Sequence, residues 1–133
     1  MLKISKQVEY AISFLSALSR QEEETLLSLK AFSEENNISF LFLQKIVSRL
    51  KNNNLVKATQ GPRGGYKLIV DLKKITLKKI VEIVDDTSGV VQCLRNGVSC
   101  PRSKTCTNKK TFQKINEDVS KLLSKISIFE FSK

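Results

Sequence analysis

The chain contains no histidine and no tryptophan. Without an imidazole to carry the proton or donate a lone pair, histidine-dependent catalytic triads and histidine-ligated zinc sites are excluded. No apolar run approaches the ~20 residues that a membrane-spanning helix needs. The N-terminus does not resemble a secretory signal either, since Met1 to Tyr10 interleaves Lys3, Lys6 and Glu9 with apolar residues in the manner of an opening helix. No phosphate-cradling glycine motif or activated nucleophile supports an enzyme, and no aromatic platform supports single-stranded RNA. These absences lead us to expect a cytoplasmic, non-enzymatic protein with no membrane partner.

What is present is positive charge. Lysine and arginine number 23 against 13 acids, for a formal charge of +10 and a pI near 9.7. Such a balance favours a polyanionic partner, with nucleic acid ahead of an anionic membrane surface. Hydrophobic residues at 41% and charged residues at 27% suit a folded chain. The 133 residues provide for about one domain with an appended helix. The 3 cysteines are an odd number without an export signal, which argues against a disulfide framework and leaves their reactivity or ligation as the question.

Hydrophobic periodicity divides the chain. From a capping Ser5, KQVEYAISFLSALSR sets Val8, Ile12, Leu15 and Leu18 on one helical face beside Ala11, with Glu9, Ser13, Ser16 and Arg20 as its polar stripe. Ser28 caps a short second helix, LKAFSEENN, which stops where Asn36 and Asn37 tolerate left-handed backbone. Ser39 caps a third, FLFLQKIVSRLKNNN, with Phe40, Leu43, Ile46, Val47 and Leu50 as a buried stripe. Two helices about a brief turn make a helix-turn-helix, whose second member normally carries base contacts. LVKATQ, GPRGG and YKLIV then read as strand, turn and strand, which is a wing. Thr76 caps a further helix with Leu77, Ile80, Val81 and Val84, and an irregular loop follows from Asp85 to Thr107. Phe112, Ile115, Val119, Leu122, Ile126 and Phe129 form a heptad seam of about two and a half repeats that calls for a partner helix. The expected fold is mainly α with a small β wing. A winged helix-turn-helix spans 1–84, a cysteine loop 85–107 and a C-terminal dimerisation helix 108–133; the seam points to a homodimer, and the helix-turn-helix with its wing to double-stranded DNA.

The third helix and wing supply the candidate DNA contacts Ser39, Phe42, Gln44, Lys45, Arg49, Lys51, Gln60, Arg63 and Gly64. Gln44 can pair bidentately with adenine, Lys45 can reach guanine or phosphate, and Phe42 or Leu41 can touch a thymine methyl. Phe42 would equally serve by packing on another helix. At the wing tip, Arg63 sits where it can enter a narrow minor groove, while the glycines supply turn geometry.

The segments MLKISKQVEYAI, NNISFLFLQKIVSRLKNNNLV and QGPRGGYKL, with three cysteines ahead of a long last helix, resemble the Rrf2 family of bacterial winged-helix regulators over nearly the whole chain. That resemblance implies a homodimer on a roughly palindromic operator, its last helix crossing to the other protomer. The implied function is transcription regulation, by repression, in response to iron-sulfur cluster state, redox or nitric oxide. A cluster-free regulator of the same fold, sensing by thiol chemistry or a small metabolite, is the alternative.

Cys93, Cys100 and Cys106 are separated by six and five residues, wider than the paired spacing of zinc ribbons, so their thiols converge through a folded loop if they share a ligand. Arg95, Arg102, Lys104, Lys109 and Lys110 around them favour the thiolate, and Pro101 after Cys100 fits the Cys-Pro pairing of some cluster motifs. Free reduced thiols, or a redox pair, are the competing reading. With the resemblance, the three hold an iron-sulfur cluster of 2Fe-2S or 4Fe-4S type. The histidine of IscR-like members, three residues beyond the last cysteine, is Lys109 here, and a protonated lysine cannot ligate iron. The NsrR-like branch uses a carboxylate near the start of the first helix of the other protomer, a position held here by Glu9; otherwise Glu9 simply complements the positive end of its own helix. The wing also departs from the IscR-like pattern, with Gln60 in place of an arginine and Arg63 carrying the charge later in the turn.

Overall fold

The computed structural model describes residues 3–85 and 108–132. Helix α1 (Lys6–Ser19) starts at Ser5, whose Oγ accepts the Val8 N–H at 3.2 Å and so satisfies one of the amides that a helix start leaves unpaired. Val8, Ala11, Ile12, Leu15 and Leu18 face the core as their spacing predicts. Phe14 joins them, edge-on to Phe32 at 5.3 Å and to Tyr66 at 5.8 Å between centroids. The expected polar stripe is interrupted at Ser16, which is buried with its Oγ unpartnered among the described residues. The reason is that α1 is covered on several sides.

Helix α2 (Leu29–Glu35) begins where the Ser28 Oγ accepts from Ala31, and it leads into a turn in which Asn37 adopts φ 53°. Helix α3 (Phe40–Asn52) begins where the Ser39 Oγ accepts from Phe42. Leu43, Ile46, Val47 and Leu50 are buried, but Phe40 remains 39% exposed because it opens the helix a turn before the stripe meets the core. Strands β1 (Val56–Thr59) and β2 (Gly65–Leu68) pair antiparallel with Lys57 opposite Lys67 and Ala58 opposite Tyr66. Leu27 extends this hairpin from its β2 side, exchanging backbone hydrogen bonds with Tyr66 at 3.0 and 2.8 Å. Gly65 is needed there, since a Cβ would sit 2.7 Å from the Leu27 carbonyl oxygen. Helix α4 (Leu77–Asp85) follows a 3-10 turn at Leu72–Lys74 and is capped by Thr76, whose Oγ1 accepts from Lys79 at 3.2 Å.

Helix α5 (Lys109–Ser124) packs on α4, yet none of its residues is fully buried. Of the expected seam, Phe112 and Val119 are half-buried while Ile115 and Leu122 are 39% and 59% exposed. The helix ends before the last two seam positions. The Ile126 carbonyl instead accepts from Leu77 at 2.8 Å, Ile128 donates to the Ile75 carbonyl at 2.9 Å, and a 3-10 turn at Ile128–Ser132 packs on α1. Ile126 thereby turns toward the winged-helix core and Phe129 receives the Lys73 ammonium over its ring, so neither continues the helical stripe. Among the described residues, no helix is long and apolar enough to cross a membrane.

Because Ile128 is completely buried although the sequence pattern assigns it to no core element, Ile128→Ala should lower the unfolding free energy by about 2 to 5 kcal/mol. Denaturant unfolding measures this. A loss below about 0.5 kcal/mol, typical of surface changes, would detach the C-terminal segment from the core.

Candidate nucleic-acid interface

The outer face of α3 carries Leu41, Gln44, Lys45 and Ser48 at positions i, i+3, i+4 and i+7, and all four are exposed. Lys51 continues the exposed surface toward the helix end. A stripe with an amide, an ammonium, a hydroxyl and one apolar group can meet the hydrogen-bonding edges and methyl groups of a major groove. Ser39 is exposed at the start of the helix with its oxygen engaged by the Phe42 amide, which leaves its hydroxyl free to donate outward.

Two of the expected contact residues also make contacts within the domain, although Arg49 remains exposed. Phe42 is half-buried, its ring perpendicular to Tyr10 at 5.8 Å, so it fastens α3 to α1. The Arg49 guanidinium donates through Nη1 to the Val84 carbonyl oxygen in the last turn of α4, where the unpaired carbonyls of a helix end attract a cation. Arg49 thus ties α3 to α4.

At the wing tip Gln60, Gly61, Pro62 and Arg63 are exposed. Gly61 takes φ 120°, which an L side chain rarely adopts, and its carbonyl accepts from the Gly64 N–H at 2.9 Å. A Cβ on Gly64 would collide with the Thr59 carbonyl oxygen, so Gly64 closes the turn by its smallness and presents Arg63 outward. Lys57 and Lys67 were missed by the reading of the sequence. They lie directly opposite each other, both exposed, along an open groove that also holds Glu23 and Glu24. Like charges paired across strands cost stability unless an anion offsets them, and the Glu23 and Glu24 carboxylates in the same groove supply that counter-charge. Counting the register outward from the GPRGG turn would have revealed them.

Behind this surface the end of α4 is tied to the start of α1. The Ser5 hydroxyl donates to both Asp85 carboxylate oxygens at 2.8 and 2.9 Å. The Gln7 amide, oriented to donate, reaches Asp85 Oδ1 at 3.2 Å and the Val84 carbonyl at 3.1 Å. Glu9 is exposed, with the Lys6 ammonium 3.2 Å from its Oε2. Cys93, Cys100 and Cys106 lie outside the described residues, and among those described no group of three or more metal-ligating side chains is assembled.

The sequence profile of the Rrf2 family, described as an iron-dependent transcriptional regulator, matches residues 4–133. The chain is 26% identical over 132 residues to the HTH-type transcriptional regulator IscR of Xenorhabdus nematophila, covering 99% of this chain and 80% of that protein. Among solved structures, CymR, the global cysteine regulator of B. subtilis, superposes with a TM-score of 0.73 at 27% identity over 99% of this chain and 97% of its own. The oxidized form of Staphylococcus aureus CymR gives 0.73 at 26% identity, again over 99% and 97% of the two chains. T. potens IscR, at 22% identity and a TM-score of 0.71 over 98% of this chain and 85% of its own, shares the fold.

If Arg63 neutralises a backbone phosphate, Arg63→Ala should weaken duplex binding and flatten the log–log salt dependence by about one unit. Gln44→Ala should instead change which duplexes are preferred, by about 1 to 3 kcal/mol at one base pair. Unchanged affinity and slope for Arg63→Ala would remove the wing from the interface.

Proposed function

The chain belongs to the Rrf2 family and is a DNA-binding transcription regulator; we propose that it is a cytoplasmic homodimeric repressor whose grip on a duplex operator is set by the state of Cys93, Cys100 and Cys106. The observation that carries this reading is the bonding at the end of α4. Asp85 is where the cysteine-bearing segment departs, and this same turn is bonded to the recognition helix through Arg49 and to α1 through Ser5 and Gln7. A chemical change at the cysteines that strains this turn therefore biases α3 and the wing against their DNA-bound arrangement, which is a coupling of two sites through shared contacts. Binding alone performs the function, and no catalytic step is required.

The donor chemistry fits an iron-sulfur cluster. Thiolates of Cys93, Cys100 and Cys106 would hold it, with Glu9 of the partner subunit as the fourth ligand. The Glu9 carboxylate is solvent-exposed and engaged by Lys6 alone among the described residues, whereas Asp85 is already taken up by hydrogen bonds. A bound cluster would supply reactivity toward oxidants or nitric oxide, and an oxygen ligand among thiolates would be its most readily lost anchor. The second reading, a cluster-free thiol sensor, is favoured by the likeness to CymR, a cysteine regulator.

Anaerobic purification with iron and sulfide analysis separates the two. Wild type should absorb visible light, each Cys→Ala variant should lose most of that absorption, and Glu9→Ala should alter the spectrum or hasten bleaching in air. Wild type without iron defeats the cluster reading and leaves the thiol sensor. The dimer is supported by the exposed Ile115 and Leu122 on α5, whose burial across a two-fold axis would stabilise association. Replacing both by lysine should yield monomers or aggregates in sedimentation, with poor operator binding; a fully active dimer would move the interface elsewhere.

A further inference from the structure

We propose that Leu41 is a specificity-determining residue that reads the 5-methyl group of a thymine in the operator's major groove. This rests on the reading of α3 as the base-contacting helix. Leu41 is 71% exposed, the highest value among the exposed large hydrophobics of the described residues. A single exposed leucine is ordinary on a protein surface, and its position is what distinguishes this one. It shares the outer stripe of α3 with Gln44, Lys45 and Ser48, where each neighbour offers hydrogen bonds or charge.

The other apolar side chains of the first turn are differently placed. Phe42, the alternative candidate for this role, is half-buried with its ring set against Tyr10 at 86°, and reaching DNA would break that packing. Phe40 is 39% exposed, and it lies toward the row of Leu43 and Val47, which is buried. Leu41 is the member that faces outward without a core partner.

The chemistry of the groove identifies the occupant. A leucine side chain neither donates nor accepts a hydrogen bond, so phosphates and most base edges offer it nothing, and the apolar group that major-groove edges do present is the thymine methyl. Lys45, Lys51 and Arg63 on the surrounding surface favour a polyanion over an apolar protein partner. Along the helix, Leu41 and Gln44 are offset by about 4.5 Å at 1.5 Å per residue, close to the ~3.4 Å step between base pairs. An adenine contact by Gln44 and a thymine contact by Leu41 therefore fall on the same or neighbouring pairs.

The test uses the full-length chain, purified anaerobically, and an operator selected from a randomised duplex pool. Each thymine is replaced in turn by deoxyuridine, which removes the methyl and preserves pairing. Wild type should lose about four-fold in affinity per half-site at one symmetry-related thymine position, the worth of one buried methyl. Leu41→Ala should bind the thymine and uracil duplexes equally while keeping the wild-type melting temperature. The assignment is overturned if no uracil substitution weakens wild type, if Leu41→Ala retains the discrimination, or if Phe42→Ala is the variant that abolishes it. It is equally overturned if Leu41→Ala changes self-association and leaves the discrimination intact. In all these cases DNA is still bound and the regulator reading stands, whereas failure to select any duplex would remove both.

Discussion

The burial of α1 is the constraint around which the other elements are arranged. α3, α4, the wing strand β2 and the C-terminal 3-10 turn all pack on this one helix. Phe14 extends its contacts to Phe32 of α2 and Tyr66 of β2. A helix apolar on a single face could support a single layer. Because α1 also buries Phe14 and Ser16, it can hold α3, the wing and the end of α4 in one frame.

Within that frame the side chains of α3 divide between those that hold the helix in place and those left exposed on its outer face. Phe42 and Arg49 belong to the first group, one against Tyr10 and the other on the Val84 carbonyl. Leu41, Gln44, Lys45 and Ser48 belong to the second. A helix tied to its neighbours near both ends moves with them. The Arg49 contact joins α3 to the very turn of α4 that Ser5 and Gln7 join to α1. Arg63 adds exposed positive charge at the wing tip, while the opposed Lys57 and Lys67 share their groove with Glu23 and Glu24.

The sequence by itself determined most of the helices, their caps and the wing, because those depend on interactions within a few residues. Ser5, Ser28, Ser39 and Thr76 each cap the helix that their position announces, and GPRGG turns because its backbone demands are local. The exposed stripe of α3 was equally legible, being a matter of helical period. Tertiary structure decided what no local rule contains. It set Phe42 against Tyr10, tied the exposed Arg49 to the Val84 carbonyl, buried Ser16 on a face that looked polar, brought Leu27 beside Tyr66, and ended α5 at Ser124 with Ile128 in the core. A periodic pattern records that a side chain prefers burial; whether its partner is another copy of the chain or a segment of its own domain depends on which surfaces the completed fold brings within reach.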